Sequence, residues 1–187
     1  MAEIRTITVI GAGTRGRNIA QIFALGGFRT VLEDILPASL RRAEGKIRGA
    51  LDRAIEERSM TRSAAEAALA RLQYASSMEQ AARAADLVIE AVPEELESKI
   101  EIFTLLDKVA RPATILAANT SVFSVTELAS VTYRRERVVG IRFSTPMGGV
   151  LEIVRGQKTS DETVAACAEA GRRMGRKVVV IEEAQPE

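Results

Sequence analysis

A carboxylate, Asp34, lies eighteen positions beyond the last glycine of Gly11-Ala12-Gly13-Thr14-Arg15-Gly16. In that order these residues could bind a dinucleotide. Gly11 allows a tight turn, Gly13 lets main chain approach a pyrophosphate, and Gly16 brings a helix close to a strand. Free N–H groups and the dipole at the helix start can hold phosphate charge. Asp34 can accept hydrogen bonds from ribose hydroxyls. It suits that task better than Glu33, because side chains alternate along Thr30-Val31-Leu32 and aspartate has the shorter reach. A carboxylate there repels a 2′-phosphate, so the expected cofactor is NAD rather than NADP.

Those residues need a β-α-β unit to position them. Ile7-Thr8-Val9-Ile10 reads as a buried strand, and Ile19, Ile22, Phe23 and Ala24 recur at helical spacing until Gly26-Gly27. Thr30-Val31-Leu32 is a second strand that ends at Glu33-Asp34. Pro37 to about Leu72 is expected to form a helical hairpin, with Leu40, Ala43, Ile47, Leu51 and Ile55 as one apolar stripe. Its arginines, Arg42 among them, read as a solvated face. Ser63 with Glu66 resembles a capping box for the second helix, and Ser124 with Glu127 resembles another further on.

Strands are expected near Gln73–Ala75, Leu87–Ile89, Ile115–Ala117, Val138–Ile141, Val150–Val154 and Val178–Ile181. Helices are expected near Met78–Arg83, from Leu96 to before Pro112, and from Thr163 to Met174. The alternation gives an α/β fold: a Rossmann-type doubly wound, mostly parallel sheet with an inserted hairpin. In such sheets ligands sit outside the carboxyl ends of the strands. Asp34, Glu94, Ser121 and Arg142 all follow strand ends, so they can converge on one crevice.

The chain contains no histidine and one cysteine, Cys167, so a histidine base and a histidine metal site are excluded. Cys167 falls on an apolar helix face and reads as core. The 187 residues suit one domain, and 47% hydrophobic with 27% charged content suits a globular one. A net charge of +1 gives no electrostatic argument for nucleic acid or a membrane surface. No apolar run is long enough to span a bilayer, and the N-terminus enters a strand almost at once, leaving no room for a signal peptide. A cytoplasmic protein is expected.

Over nearly its whole length the chain resembles the NAD-binding domain of 3-hydroxyacyl-CoA dehydrogenases. The resemblance rests on Val9-Ile10-Gly11-Ala12-Gly13 with Gly16, on Asp34, on the hairpin, and on Asp86-Leu87-Val88-Ile89-Glu90-Ala91-Val92-Pro93-Glu94. Asn119-Thr120-Ser121 and Leu151-Glu152-Ile153-Val154 add to it. It implies an oxidoreductase of fatty acid metabolism, with NAD along Gly11–Gly16 and Asp34. It further implies Ala91, Val92, Glu94, Lys99 and Asn119 about the cofactor, and Ser121 hydrogen-bonding near the reacting oxygen.

Three departures change the expectation. Where the family reads His-Phe-Phe-Asn-Pro, this chain reads Arg142-Phe143-Ser144-Thr145-Pro146. The family's histidine takes the substrate hydroxyl proton, oriented by a glutamate that resembles Glu152. Arginine stays protonated and has no acceptor, so Arg142 is expected to bind or polarise, with Glu152 as the remaining candidate base. The family's coenzyme A contacts from the first hairpin helix fall here on Ala50 and Glu57. Finally, the chain ends about where the family's all-helical second domain begins, so no second domain is expected. The surface which that domain covers is then expected to be apolar and to drive self-association, as a homo-oligomer or with a partner subunit. The alternative to an enzyme is a module that binds NAD without efficient turnover.

Overall fold

The computed structural model describes residues 3–144 and 149–183. The position of the family's asparagine, Thr145, the loop residues Met147 and Gly148, and the terminal Gln185-Pro186-Glu187 lie outside the described residues.

The first unit is β1 (Thr6–Ile10), α1 (Thr14–Leu25) and β2 (Arg29–Glu33). Buried Ile19, Ile22 and Phe23 give α1 its inward face, and Gly27, at φ +93°, adopts the left-handed backbone that follows its end. The hairpin follows as α2 (Pro37–Glu56) and α3 (Arg62–Arg71). On α2 the buried residues are Leu40, Ala43, Ile47 and Leu51; Ile55, the last of the expected stripe, is only partly buried against the same core. The cap of α3 differs from expectation. Thr61, not Ser63, accepts a hydrogen bond from Ala64 N–H at 3.2 Å. Ser63 falls inside the helix because Thr61 has the extended backbone that an N-cap requires.

The remaining elements are β3 (Leu72–Ala75), α4 (Met78–Arg83), β4 (Leu87–Glu90), α5 (Leu96–Val109), β5 (Ile115–Ala118) and α6 (Val125–Ser130). After them come β6 (Val138–Phe143), β7 (Val150–Arg155), α7 (Asp161–Arg173) and β8 (Lys177–Glu182). Ser124 caps α6 as expected, and Ser160 caps α7.

All eight strands form one sheet in the order β3-β2-β1-β4-β5-β6-β7-β8. The six strands from β3 to β6 are mutually parallel; β7 runs antiparallel to β6, and β8 parallel to β7. A short return after β6 has no room for a crossover helix, so β7 reverses direction. Helices cover both faces. One core joins Phe23, Phe28, Ile47, Leu51 and Cys167; the other joins Val88, Phe103, Leu106 and Leu128. Phe23 packs edge-on against Phe28 and Phe143, with ring centroids at 5.7 and 5.8 Å. Full burial of Phe23 and of Phe28 is worth about 1.5–3 kcal/mol each, while Phe143 is only partly buried. Burial pushes the Cys167 thiol up to about 12, which removes it from thiolate chemistry at neutral pH.

Candidate cofactor and catalytic site

Strand order reverses between β1 and β4, and the loops leaving those two strands diverge to opposite faces. A crevice must open there, at the carboxyl ends of the strands. It is a cleft of about 710 Å³, lined by Gly11, Ala12, Gly13, Thr14, Arg15, Asp34, Ala91, Val92 and Glu94 among others. Nine residues expected from sequence to hold the cofactor thus share one surface.

The three glycines have three separate causes. Gly11 has φ +100°, and a Cβ there would lie 3.1 Å from Ala91 O. At Gly16 a Cβ would stand 1.7 Å from Gly11 O, so this glycine sets how closely α1 approaches β1 and lies beneath the cleft. Gly13 is different: a Cβ there would meet no protein atom within 4 Å. Among the described residues nothing requires its smallness, which leaves the turn open for a ligand to lie on it. Gly13 is also the N-cap of α1 and supplies no side-chain hydrogen bond to the helix start. Amide donors there are left for an anion. The residues present therefore fit a dinucleotide diphosphate.

Asp34 faces this turn. Its carboxylate accepts from Ala12 N–H and Leu36 N–H, both at 2.9 Å. Glu33 turns away and is only 4% exposed. Among the described residues its side chain makes no hydrogen bond. Burial, and then the charge of Asp34 beside it, push its carboxyl up to about 7. Folded protein thus keeps this proton at pH values where the unfolded chain, titrating near 4.5, has released it. Stability is full below 4.5 and declines as pH rises through about 7. At 1.36 kcal/mol per pH unit that interval is worth about 3 kcal/mol. Glu33→Gln is expected to raise stability at pH 8 by up to about 3 kcal/mol and to flatten the slope below it. Urea unfolding at pH 5 and pH 8 reads both; equal stability of variant and parent at pH 8 would refute it.

The far wall is a network behind Val92. Glu94 accepts from Arg15 Nη1 at 2.7 Å and Thr120 Oγ1 at 2.9 Å. Burial pulls its carboxyl upward, but those hydrogen bonds and the charges of Lys99 and Arg15 outweigh it and hold it low. Lys99 does not line the cleft, contrary to expectation. It is fully buried, with Nζ 2.9 Å from both oxygens of the equally buried Glu90. Glu90 also accepts from Val92 N–H at 2.8 Å. Burial raises its carboxyl against the opposing pull of Lys99. The ammonium reaches Val92 O and Asn119 O at 3.5 Å, so one buried charge ties the loops after β4 and β5 together.

Asn119 is fixed by Nδ2–H donation to Ile141 O at 2.8 Å. It lines a smaller cavity of about 180 Å³ with Arg15, Asn18, Ile22, Phe143 and Ser144. Ser121 is exposed just beyond β5. Arg142 and Glu152 stand opposite one another across β6 and β7, with Nε and Oε2 3.5 Å apart. Each side chain is about one-third exposed (31% and 32%), and Arg142 Nε is buried with no hydrogen-bond partner among the described residues. Sequence reasoning missed the Ser39, Arg42 and Lys46 edge of the cleft, and Arg17 as well. Arg42 was expected on a solvated face. The missed signal is that Ser39, Arg42 and Lys46 share one face of α2 beside its apolar stripe.

Residues 6–184 match the model of the 3-hydroxyacyl-CoA dehydrogenase NAD-binding domain. The chain belongs to this family. The part matched is the family's NAD-binding domain, and NAD is the cofactor that it takes. A 3-hydroxybutyryl-CoA dehydrogenase of Bradyrhizobium diazoefficiens is 38% identical over 97% of this chain and 62% of its own length. The crystal structure of (S)-3-hydroxybutyryl-CoA dehydrogenase from Ralstonia eutropha superposes with a TM-score of 0.93 at 34% identity, covering 97% of this chain and 65% of that one. A 5-formyl-3-hydroxy-2-methylpyridine 4-carboxylate 5-dehydrogenase of Mesorhizobium japonicum is 31% identical over 98% of this chain and 59% of its own. This chain thus spans about 60% of the length of such curated relatives. No helix among the described residues is long and apolar enough to cross a membrane.

Proposed function

We propose that this domain serves an NAD-dependent oxidoreductase acting on a 3-hydroxyacyl thioester or a related 3-hydroxy acid. The observation that carries the reading is the Gly13 turn, open to a ligand and faced by Asp34. Amides at the start of α1 would hold the diphosphate, and Asp34 the adenosine ribose. Ala91, Val92 and Glu94 would wall the cofactor, with Asn119 at the nicotinamide end. Bound NAD supplies a two-electron hydride acceptor. Ser121 would donate a hydrogen bond to the reacting oxygen. Arg142 would grip an anionic or carbonyl group of the substrate through its planar fork. The Mesorhizobium relative, whose named substrate is a carboxylate, supports an anion there. Deprotonation then falls to Glu152, whose Oε2 lies 3.5 Å from Arg142 Nε. The second reading is a module that holds NAD without efficient turnover, favoured by Arg142 standing where the family's base belongs.

Calorimetry with NAD tests the cofactor roles. Asp34→Ala is expected to weaken binding about tenfold to a hundredfold, the loss of hydrogen bonds to a charged acceptor. Equal affinity in variant and parent would remove Asp34 from the site. Turnover of 3-hydroxybutyryl-CoA with NAD separates the two readings, since the second requires a silent parent. The reading extends to a cytoplasmic location and to self-association, supported by exposed Ile35, Leu36, Val122, Val179 and Val180.

A further inference from the structure

β8 is the last strand of the sheet, and only β7 pairs with it among the described residues. The phase of its hydrogen bonds is fixed by Glu183 N–H, which donates to Arg155 O at 2.9 Å. Main-chain groups of successive residues point to alternate sides of a strand. The odd-numbered residues of β8 therefore turn toward β7, and Val178, Val180 and Glu182 present their N–H and C=O groups outward. Such a row is a template for another strand. Its side chains do little to discourage pairing: Val179 is 36% and Val180 45% exposed, and β8 contains no proline.

We propose that β8 pairs antiparallel with β8 of a second copy of this chain, about a two-fold axis through Val179. The choice of register follows from geometry. A two-fold axis normal to the sheet keeps each face on its own side, so opposed residues must both be odd or both even. Outward-facing Val178 then stands opposite the second copy's Val180, and Arg176 opposite its Glu182, each pair occurring twice. This register engages both outward groups of Val178 and Val180 and the N–H of Glu182, since Arg176 N–H already donates to Gly171 O at 3.0 Å, and it matches opposite charges at both ends. Centring on Val180 instead sets Val178 against Glu182. It also sets Lys177 against Glu183, whose carboxylate already accepts from Val125 N–H and Thr126 N–H. Among the described residues of its own chain Glu182 has only Arg155, 3.9 Å away, and its side chain is 75% exposed and free to turn. The two α7 helices lie side by side on one face of the joined sheet. This edge is remote in the strand order from the β1–β4 crevice, so the inference does not depend on the cofactor reading.

Sedimentation velocity of the full chain tests it, with thermal midpoints confirming that each variant folds. Glu182→Arg and Arg176→Glu each turn two attractive pairs into two repulsive ones, and each alone is expected to weaken dimerisation about tenfold. An equimolar mixture of the two variants restores complementary pairs and is expected to recover the dimer. Val180→Pro removes an outward donor without touching the ladder to β7 and is expected to leave a monomer. A wild-type chain monomeric at every concentration, or charge variants that dimerise as the wild type does, would overturn the proposal.

Discussion

Arg142→His is expected to raise kcat for oxidation of 3-hydroxybutyryl-CoA with NAD by about 10²–10⁴-fold, the usual worth of a positioned general base. The surroundings already suit a histidine. Arg142 sits directly opposite Glu152 in the β6–β7 register, with its Nε 3.5 Å from a carboxylate oxygen. An imidazole at that position has a carboxylate to orient it and a second nitrogen free to take a proton. Arginine offers neither an acceptor nor a proton vacancy at neutral pH. A Glu152→Gln change in the histidine background should then cost most of the gain. Steady-state rates of the three proteins decide it. A parent that already turns over, and slows when histidine is restored, would show instead that the grip proposed for Arg142 is worth more to turnover than a base at that position.

Lys99→Met is expected to cost about 3–5 kcal/mol of stability at pH 8, the effect of stranding a buried charge. Glu90 is fully buried; both of its oxygens lie 2.9 Å from the ammonium, and only Oε1 has a further donor, Val92 N–H, among the described residues. Methionine fills much of the same space, so the loss reports charge rather than a cavity. The cost should shrink at pH 5. Burial already raises the Glu90 carboxyl, and without Lys99 it rises further, so Glu90 takes up a proton and the penalty fades. The pair Glu90→Leu with Lys99→Met should recover most of the stability, because an apolar replacement of both partners leaves nothing stranded. Urea unfolding at the two pH values measures each expectation, and a loss under about 1 kcal/mol at pH 8 would contradict the first. Because Lys99 also reaches Val92 O and Asn119 O, the single variant should bind NAD more weakly as well.

Much of this protein was legible in its sequence, and for a local reason. Strand, turn, helix and strand around Gly11–Gly16 are set by residues near one another in the chain. The period of the apolar residues and the steric needs of the glycines therefore sufficed to place them. Alternation and the shorter reach of aspartate separated Asp34 from Glu33 in the sequence; in the structure one faces the turn and the other is buried. The α2 stripe and the Ser124 cap were equally local. Thr61 was not, since Thr61 and Ser63 are both plausible caps and only backbone geometry chooses between them.

Tertiary structure alone decided the fate of Lys99. Its neighbours in sequence give no sign that Glu90 lies beneath the cleft to receive it, because burial there depends on how α5 packs on β4 and β5. The same holds for Arg42 and Lys46, whose helix face meets the cleft only once α2 has docked. Long-range packing likewise left the outer edge of β8 unpaired among the described residues, and the phase of its hydrogen bonds was set by its neighbour β7. Sequence fixes which residue types recur at which period. Which of them lose water, and beside what charge, is determined by chain segments far apart in number that meet only in the folded state.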